Sequence, residues 1–448
     1  MKKYDNYKDS GIEWIGEIPE HWEVTRLGFL ASKIGDGLHG TPSYVDNSNF
    51  KFINGNNIDD GQISIYEHTK CVSEEEYLSN KKELNENSIL MSINGTIGNL
   101  GVYKGEKVML GKSVAYINII DSNVLSFTYR YLESESCKTY IDNQLSGSTI
   151  KNLSLYSINK IPIPFPSIEE QTTIANYLDH KTTQIDTLIS KKQQFITLLQ
   201  EERIAVINQA VTKGLDPNVR IKDSGVEWLG EIPEHWEVKP LKYLVKDLLS
   251  GVSVNSHDAP INNNEEYGIL KTSCVYDYTF RPIQNKQVLK EEYNRVKCSV
   301  EKDTIIISRM NTPELVGASG YVSKDYPNLF LPDRLWKTEF FNDVKINVKW
   351  LSQVLISDLY KKALSSRATG TSSSMKNISK DDFLTLQIPY CPLEEQNEIA
   401  EFLLIEASRV DEIILKAKQE IELLKEYKTA LISEVVTGKV DVREEILN

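Results

Sequence analysis

The chain is poor in the residues that run most enzyme chemistry. Its five cysteines (Cys71, Cys137, Cys274, Cys298, Cys391) are scattered, odd in number and never spaced C-x-x-C. That argues against a structural zinc site or a disulfide framework and fits a reducing, cytoplasmic setting. Six histidines include no H-E-x-x-H metal motif. No run of 18 apolar residues exists to span a membrane, and the opening MKKYDNYKDS lacks the apolar core of a signal peptide. No N-P-P-[FYW] or D-P-P-Y motif of an amino-methyltransferase occurs. Two glycine-rich stretches imitate nucleotide sites and fail. Gly35-Asp36-Gly37-Leu38-His39-Gly40, with Asp59 further on, fits G-x-G-x-x-G, but Thr41-Pro42-Ser43 follows where a helix must open. Gly111-Lys112-Ser113 ends like a P-loop, yet VAYINII after it reads as a strand.

What is present is a duplication. Residues 8–24 read KDSGIEWIGEIPEHWEV and residues 222–238 read KDSGVEWLGEIPEHWEV, identical at 15 of 17 positions. Chance does not produce this, so the chain is an internal repeat. A second shared block reads IPIPFPSIEEQTTIANYL at 161–178 and QIPYCPLEEQNEIAEFL at 387–403, carrying Glu169-Glu170-Gln171 and Glu394-Glu395-Gln396. Just upstream, Lys151-Asn152-Leu153-Ser154 recurs as Lys376-Asn377-Ile378-Ser379. Between these shared parts the resemblance nearly vanishes. His21 and His235 stand at equivalent places beside Trp22 and Trp236, with no nucleophile in the repeated element, so they read as packing residues.

Net charge is −13, a poor match for a polyanion ligand, but the charge is unevenly placed. The second variable block, 239–390, carries 21 Lys+Arg against 17 Asp+Glu, and the first, 25–165, carries 13 against 15. The acidic excess therefore belongs to the shared parts, and a polyanion would be met through the variable blocks.

Residues 172–213 and 397–438 lack proline, and apolar residues recur in steps of three, four and seven. Leu178, Ile185, Leu188, Ile189, Ile196, Leu199, Val206, Ile207 and Val211 match Leu403, Val410, Ile413, Ile414, Ile421, Leu424, Leu431, Ile432 and Val436. This predicts two helices, each on the order of 60 Å long with one apolar stripe, that pair as a coiled coil. Pro162, Pro164 and Pro166, with Pro389 and Pro392 in the second copy, read as rigid entries to the rods. If the halves are related by a twofold, the C-terminal tail lies near the N-terminal motif. The variable blocks are rich in Gly, Asn, Ser and Thr, with Ser88–Ile93 and Thr304–Ser308 expected as buried strands. Small polar loops such as 54–57, 146–149 and 368–374 can follow phosphates or present donors to base edges.

On the motif KDSGVEWLGEIPEHWEV, the AVTKGLDPNVRI before it, and the block IPIPFPSIEEQTTIANYLDHKTTQID with its second copy, the chain resembles the specificity subunit of a type I restriction-modification system over essentially its whole length. The resemblance implies an α/β (α+β) fold class: two pseudo-twofold-related mixed α/β target-recognition domains joined by two long antiparallel helices. The expected domains are a motif at 1–24, recognition domain 1 at 25–168, a helix at 169–213, a linker and second motif at 214–238, recognition domain 2 at 239–391, a helix at 392–438 and a tail at 439–448. It further implies a non-catalytic subunit that reads a split sequence in double-stranded DNA, one half-site per variable domain, with the helices setting the spacer. Two modification (methyltransferase) subunits that bind S-adenosylmethionine would dock on the shared parts, and a restriction motor and nuclease subunit would complete the complex. The chain itself needs no cofactor or metal.

Within that picture the expected DNA-binding residues of the second domain are Lys271, Ser273, Arg309, Asn311, Arg334, Arg367 and Lys376. Their rough counterparts in the first are Asn54, Asn56, Ser92, Asn94, Lys112, Ser148 and Lys151. Arginine and asparagine make bidentate contacts to guanine and adenine, and lysines hold phosphate. The expected partner-binding residues are Glu169, Glu170, Gln171, Glu394, Glu395 and Gln396, acidic and repeated. The competing reading is a non-catalytic coiled-coil scaffold that binds proteins. An enzyme fused to its own recognition domains is disfavoured by the missing motifs.

Overall fold

The computed structural model describes residues 2–59, 61–145, 151–263, 265–372 and 375–445. The chain divides into two compact units, 1–193 with 418–448, and 194–417. The division falls inside both long helices, Ile168–Lys213 and Leu393–Val436. Each unit thus holds one opening motif, one variable block, the first part of one long helix and the last part of the other.

In unit 1 the two helix segments run antiparallel. Lys428 pairs with Asp186 at 2.8 Å, and Lys192, further along the first helix, pairs with Glu420, earlier on the second. In unit 2 the segments meet through Arg203 and Asp411 at 2.8 Å, with Val206 and Ile207 beside Leu403, Ala407 and Val410. The apolar stripe is buried or half-buried throughout except at Leu188, which is 43% exposed. It lies one residue before Ile189, and on a 3.6-residue period only Ile189 turns inward.

The opening motifs fold alike. Tyr7–Asp9 pairs with Glu17–Pro19, and Ile221–Asp223 with Glu231–Pro233, each as an antiparallel hairpin. The next strands, Glu23–Arg26 and Glu237–Pro240, pair antiparallel with Pro162–Phe165 and Gln387–Tyr390. Of the prolines expected as rigid entries to the rods, Pro162, Pro164 and Pro389 are strand residues, and Pro166 and Pro392 lie between strand and long helix. In a two-stranded ladder both strands are edges, and a missing N–H is tolerated there.

The variable blocks, dissimilar in sequence, share a topology. In unit 1 an antiparallel sheet runs Leu100–Val102, Ser88–Ser92, Val114–Ile119, Ala31–Asp36. In unit 2 the same order is Ser319–Val322, Thr304–Ser308, Leu335–Phe340, Val245–Ser250. A second sheet in each unit contains one parallel pair, Val108–Leu110 with Phe50–Ile53, and Tyr326–Phe330 with Gly268–Leu270. The central strands Ser88–Ser92 and Thr304–Ser308 are buried at every position, the continuous-run pattern of a strand covered on both faces.

Two helices follow each sheet, Ser122–Glu133 and Glu135–Gln144, then Val348–Ile356 and Asp358–Arg367. Ser134 and Ser357 cap the second member of each pair, accepting from Cys137 N and Tyr360 N. The long helices complete these N-termini. Glu135 N donates to Ser433 Oγ, and Asp358 N to Asn208 Oδ1, both at 2.9 Å. An orphan helix amide is thereby satisfied from the other repeat's long helix.

Both long helices end at a glycine in the left-handed region, Gly214 (φ +75°) and Gly438 (φ +72°), the usual way to close a helix C-terminus. Past Gly438 the tail lies on the N-terminal motif. Asp441 N donates to Lys2 O at 2.9 Å, Lys439 Nζ donates to Glu17 O, and Val440 and Val442 join the core around Trp22. Gly214 lies against Trp236 in unit 2. Within each unit the end of one long helix therefore lies on the opening motif. Alanine at either glycine puts an L-residue at positive φ, a cost of about 1–2 kcal/mol. At 438 the added Cβ would also overlap Pro19, whereas at 214 it meets Trp236 at 3.3 Å. Gly438→Ala should therefore melt lower than Gly214→Ala and expose the tail to limited proteolysis. Equal melting temperatures would remove the steric argument.

Candidate nucleic-acid interface

The sheets of each unit end in one corner where four segments of the variable block meet. In unit 1 these are the short turn Gly55–Asn57, the residues after Ser88–Ser92, the crossing 111–113, and 151–153. Gly55 N donates to Ser113 Oγ at 2.9 Å, and Ser113 Oγ donates to Asn54 Oδ1 at 3.1 Å. Ile93 N donates to Ser113 O, and Leu153 N to Ile93 O. Asn94 bridges Asn152. In unit 2 the same corner is made by Thr272–Val275, 309–311, 332–334 and Met375–Asn377. Arg309 N donates to Arg334 O at 3.1 Å and Ile378 N to Arg309 O at 3.0 Å. The strand Met310–Asn311 pairs with Met375–Asn377, setting Met310 opposite Asn377 and Asn311 opposite Lys376. Ser154 and Ser379, closing the repeated tetrads, cap short helices, Leu155–Asn159 and Lys380–Leu384.

Asn54, Asn94, Lys112 and Lys151 gather at the unit 1 corner, and Lys271, Ser273, Arg309, Asn311, Arg334 and Lys376 at that of unit 2. Asn56, Lys112, Lys151 and Arg334 are exposed. Ser148 lies outside the described residues, as does most of its loop. Ser92 is corrected: it is fully buried, its Oγ donates to Thr96 O and accepts from Asn99 N, so it shapes the turn rather than facing outward. Asn311 is 8% exposed, donates to Ser308 Oγ and accepts from Thr312 N, which spends its side chain internally. Arg367, at the end of its own helix, donates to Asp382 O and Thr385 Oγ1 of the Lys380–Leu384 helix. Ser273 donates to Gln284 Oε1. The hydrogen-bond pattern also shifts three pairings by one residue: Ile93 rather than Ser92 matches Arg309, Asn94 matches Met310 rather than Asn311, and Ser113 rather than Lys112 matches Arg334. Ser113 and Trp336 were missed. Ser113 sits beside Lys112 in the stretch resembling a P-loop, which is a plain turn between strands. Trp336 reaches Arg309 only through pairing between distant strands, which leaves no local signal.

Electrostatics differ between the corners. Lys286 and Lys271 both reach Asp258, at 3.0 and 3.3 Å, and their hydrogen bonds hold its carboxyl below the usual range. Such an exposed pair is weak and open to exchange with a phosphate. Burial pushes the Cys137 thiol up to about 12, whereas the hydrogen bond from Lys51 holds the Cys71 thiol below its ordinary value. A cleft of about 770 Å³ between Ser122–Glu133 and the first long helix is floored by Arg130, already paired with Glu133 and Asp179. Among the described residues no group of three or more His, Cys, Asp or Glu could hold a metal ion.

The expected partner-binding set splits. Gln171 and Gln396 are fully buried, donating to Pro166 O and Cys391 O. Glu170 is 8% exposed; it accepts from Trp22 Nε1 at 3.4 Å and lies 3.0 Å from His21 Nε2. Glu395 accepts from Trp236 Nε1 at 2.8 Å and lies 2.7 Å from His235 Nε2. These residues clasp the opening motif to the start of the long helix and offer little surface to another protein. Glu169 and Glu394 alone of the six are exposed. A signal for this was present: Glu170, Ile174 and Leu178, like Glu395, Ile399 and Leu403, step by four on the buried face.

A twice-built α/β frame carrying two like corners with different side chains, on paired helices, defines a non-catalytic recognition protein. The family model for the type I restriction modification DNA specificity domain matches residues 19–198 and 233–425. The chain belongs to that family. It is 27% identical to the type I restriction enzyme MjaVIII specificity subunit of Methanocaldococcus jannaschii, covering 98% of this chain and 97% of that one. Against the EcoKI specificity subunit of Escherichia coli (strain K12) identity is 23%, covering 86% and 82%. The fold matches the HsdS subunit of Thermoanaerobacter tengcongensis with a TM-score of 0.51 at 15% identity, covering 94% and 98%. A chain solved in a study of type I restriction-modification complex assembly matches with a TM-score of 0.65 at 14% identity, covering 94% and 99%. No helix among the described residues is long and apolar enough to cross a membrane.

Removing the clasp carboxylate should leave the buried indole N–H of Trp236 unpaired, at about 1–3 kcal/mol. Glu395→Ala should therefore lower the melting temperature by several degrees, while Glu394→Ala stays within about 0.5 kcal/mol of the parent. Thermal unfolding of the two side by side checks this, and equal effects would refute the clasp.

Proposed function

We propose that this chain reads a split target in double-stranded DNA, one half-site at each corner, within a type I restriction-modification complex. The carrying observation is that two blocks with little common sequence build the same corner and line it with different side chains. Like frames with unlike surfaces suit two unlike half-sites, and the repeated shared parts suit two copies of one partner. The recognition domains are 25–168 and 239–391, and the paired helices set the spacer. Two modification subunits, carrying S-adenosylmethionine, dock on the shared parts, with Glu169 and Glu394 as exposed candidates for contact, and a restriction motor and nuclease subunit completes the assembly.

The test is the adenine methylome of the native host with and without this gene, read by single-molecule sequencing. Loss of methylation at one motif of two short halves around a fixed spacer is expected. No change at any such motif, with the modification subunit expressed, would return the protein-binding scaffold to first place. In the purified complex, Lys112→Ala and Lys151→Ala should weaken DNA binding about equally across sequences. Each should reduce the slope of log K against log salt by about 1, as loss of one phosphate contact does. An unchanged slope would place these lysines away from the phosphates.

A further inference from the structure

Among the described residues of unit 2, six side-chain polar atoms are buried without a hydrogen-bond partner, and three of them, Arg309 Nε, Trp336 Nε1 and Asn377 Oδ1, belong to residues around the reading corner. The sheets bring their residues to the reading corner. Trp336 is in register with Ile307, two residues before Arg309. The Arg309 guanidinium carbon lies 6.0 Å from the centroid of the Trp336 ring. The Arg309 carbonyl accepts from Ile378 N, the residue after Asn377. Buried polar atoms are nearly always paired, so three unpaired ones around a single corner leave room there for water or for a group from outside the chain. Of the other cations at this corner, Lys271 shares Asp258 and Arg367 donates to Asp382 O and Thr385 Oγ1 of the Lys380–Leu384 helix, while Arg334 is exposed and Lys376 half-buried. Arg309 has no carboxylate partner among the described residues. A guanidinium over an indole at the outer reach of a cation–π contact has the direction of its planar fork partly limited before any ligand arrives, so less is lost on forming two parallel hydrogen bonds.

We infer that Arg309 is a specificity-determining residue of the second variable domain, its fork taking O6 and N7 of one guanine in the major groove of that half-site. This rests on the proposed DNA-reading function. Arginine to guanine O6 and N7 is the pairing whose geometry matches such a fork, and a lysine in its place offers a point charge without the fork. Unit 1 has no such reader at this position. Ile93 accepts from Leu153 N as Arg309 accepts from Ile378 N, and Ile93 is 3% exposed. The guanine contact therefore belongs to one half-site and not to both.

The test uses the full chain in complex with its modification subunits and duplexes containing the methylated motif. Each guanine of both halves, on either strand, is replaced singly by 7-deazaguanine, which lacks the N7 acceptor. The parent complex should lose about tenfold in affinity at one guanine of one half-site. Arg309→Lys should bind the unmodified duplex more weakly and lose that sensitivity, while its response to substitutions in the other half stays unchanged, which also certifies its folding. Arg309→Gln, read the same way, is the second variant. The inference falls if the parent is indifferent to every 7-deazaguanine, or if both variants keep the parent's sensitivity. A parent complex that binds target and scrambled duplexes alike would instead overturn the DNA-reading function itself, and this inference with it.

Discussion

Each half of the molecule depends on one carboxylate. Glu170 and Glu395 sit at the first turn of the long helices and accept from the indole of the opening motif, Trp22 or Trp236, with the neighbouring histidine on the same carboxylate. Both tryptophans are fully buried, so the indole N–H must find an acceptor inside the protein, and the helix N-terminus favours an acidic one. The contact joins three pieces that are distant in sequence: the motif, the strand before the long helix, and the end of the opposite helix arriving at Gly438 or Gly214. A histidine, a tryptophan and a glutamate that resemble catalytic groups are spent on assembly.

Once that assembly is set, the variable blocks need supply only a frame and a rim. The frame is held by strands buried along their length, Ser88–Ser92 and Thr304–Ser308, whose residues cannot change polarity without leaving a group unpaired. The rim begins one residue later. There Ile93 in one unit is replaced by Arg309 in the other while the backbone bonds on either side stay the same. Side chains can thus differ where the strand emerges without disturbing the sheet.

This separation also explains what could be read from sequence. The repeats, the stripes at Leu178–Val211 and Leu403–Val436 and the tail's return to the motif were legible, because each rests on periodicity or on identity between copies. The common topology of the variable blocks was not. Its strands are two to six residues long, several are buried on both faces and so lack alternation, and pairs such as Val108–Leu110 with Phe50–Ile53 join segments far apart. The expected site residues differ in exposure. Lys112 and Lys151 need only be at the surface of the right loop. Ser92 and Asn311 were misjudged because a short polar side chain beside a turn is as readily consumed by that turn.

The charge distribution follows the same logic. Paired helices that carry carboxylates outward, with lysines held across the seam by Asp186 and Glu420, keep the shared parts unattractive to phosphate. The second variable block, with 21 Lys+Arg against 17 Asp+Glu, is the basic surface of an acidic chain. The acidic excess thus lies in the shared parts and the basic balance in the second variable block, so net charge alone is a poor guide to what the chain can bind.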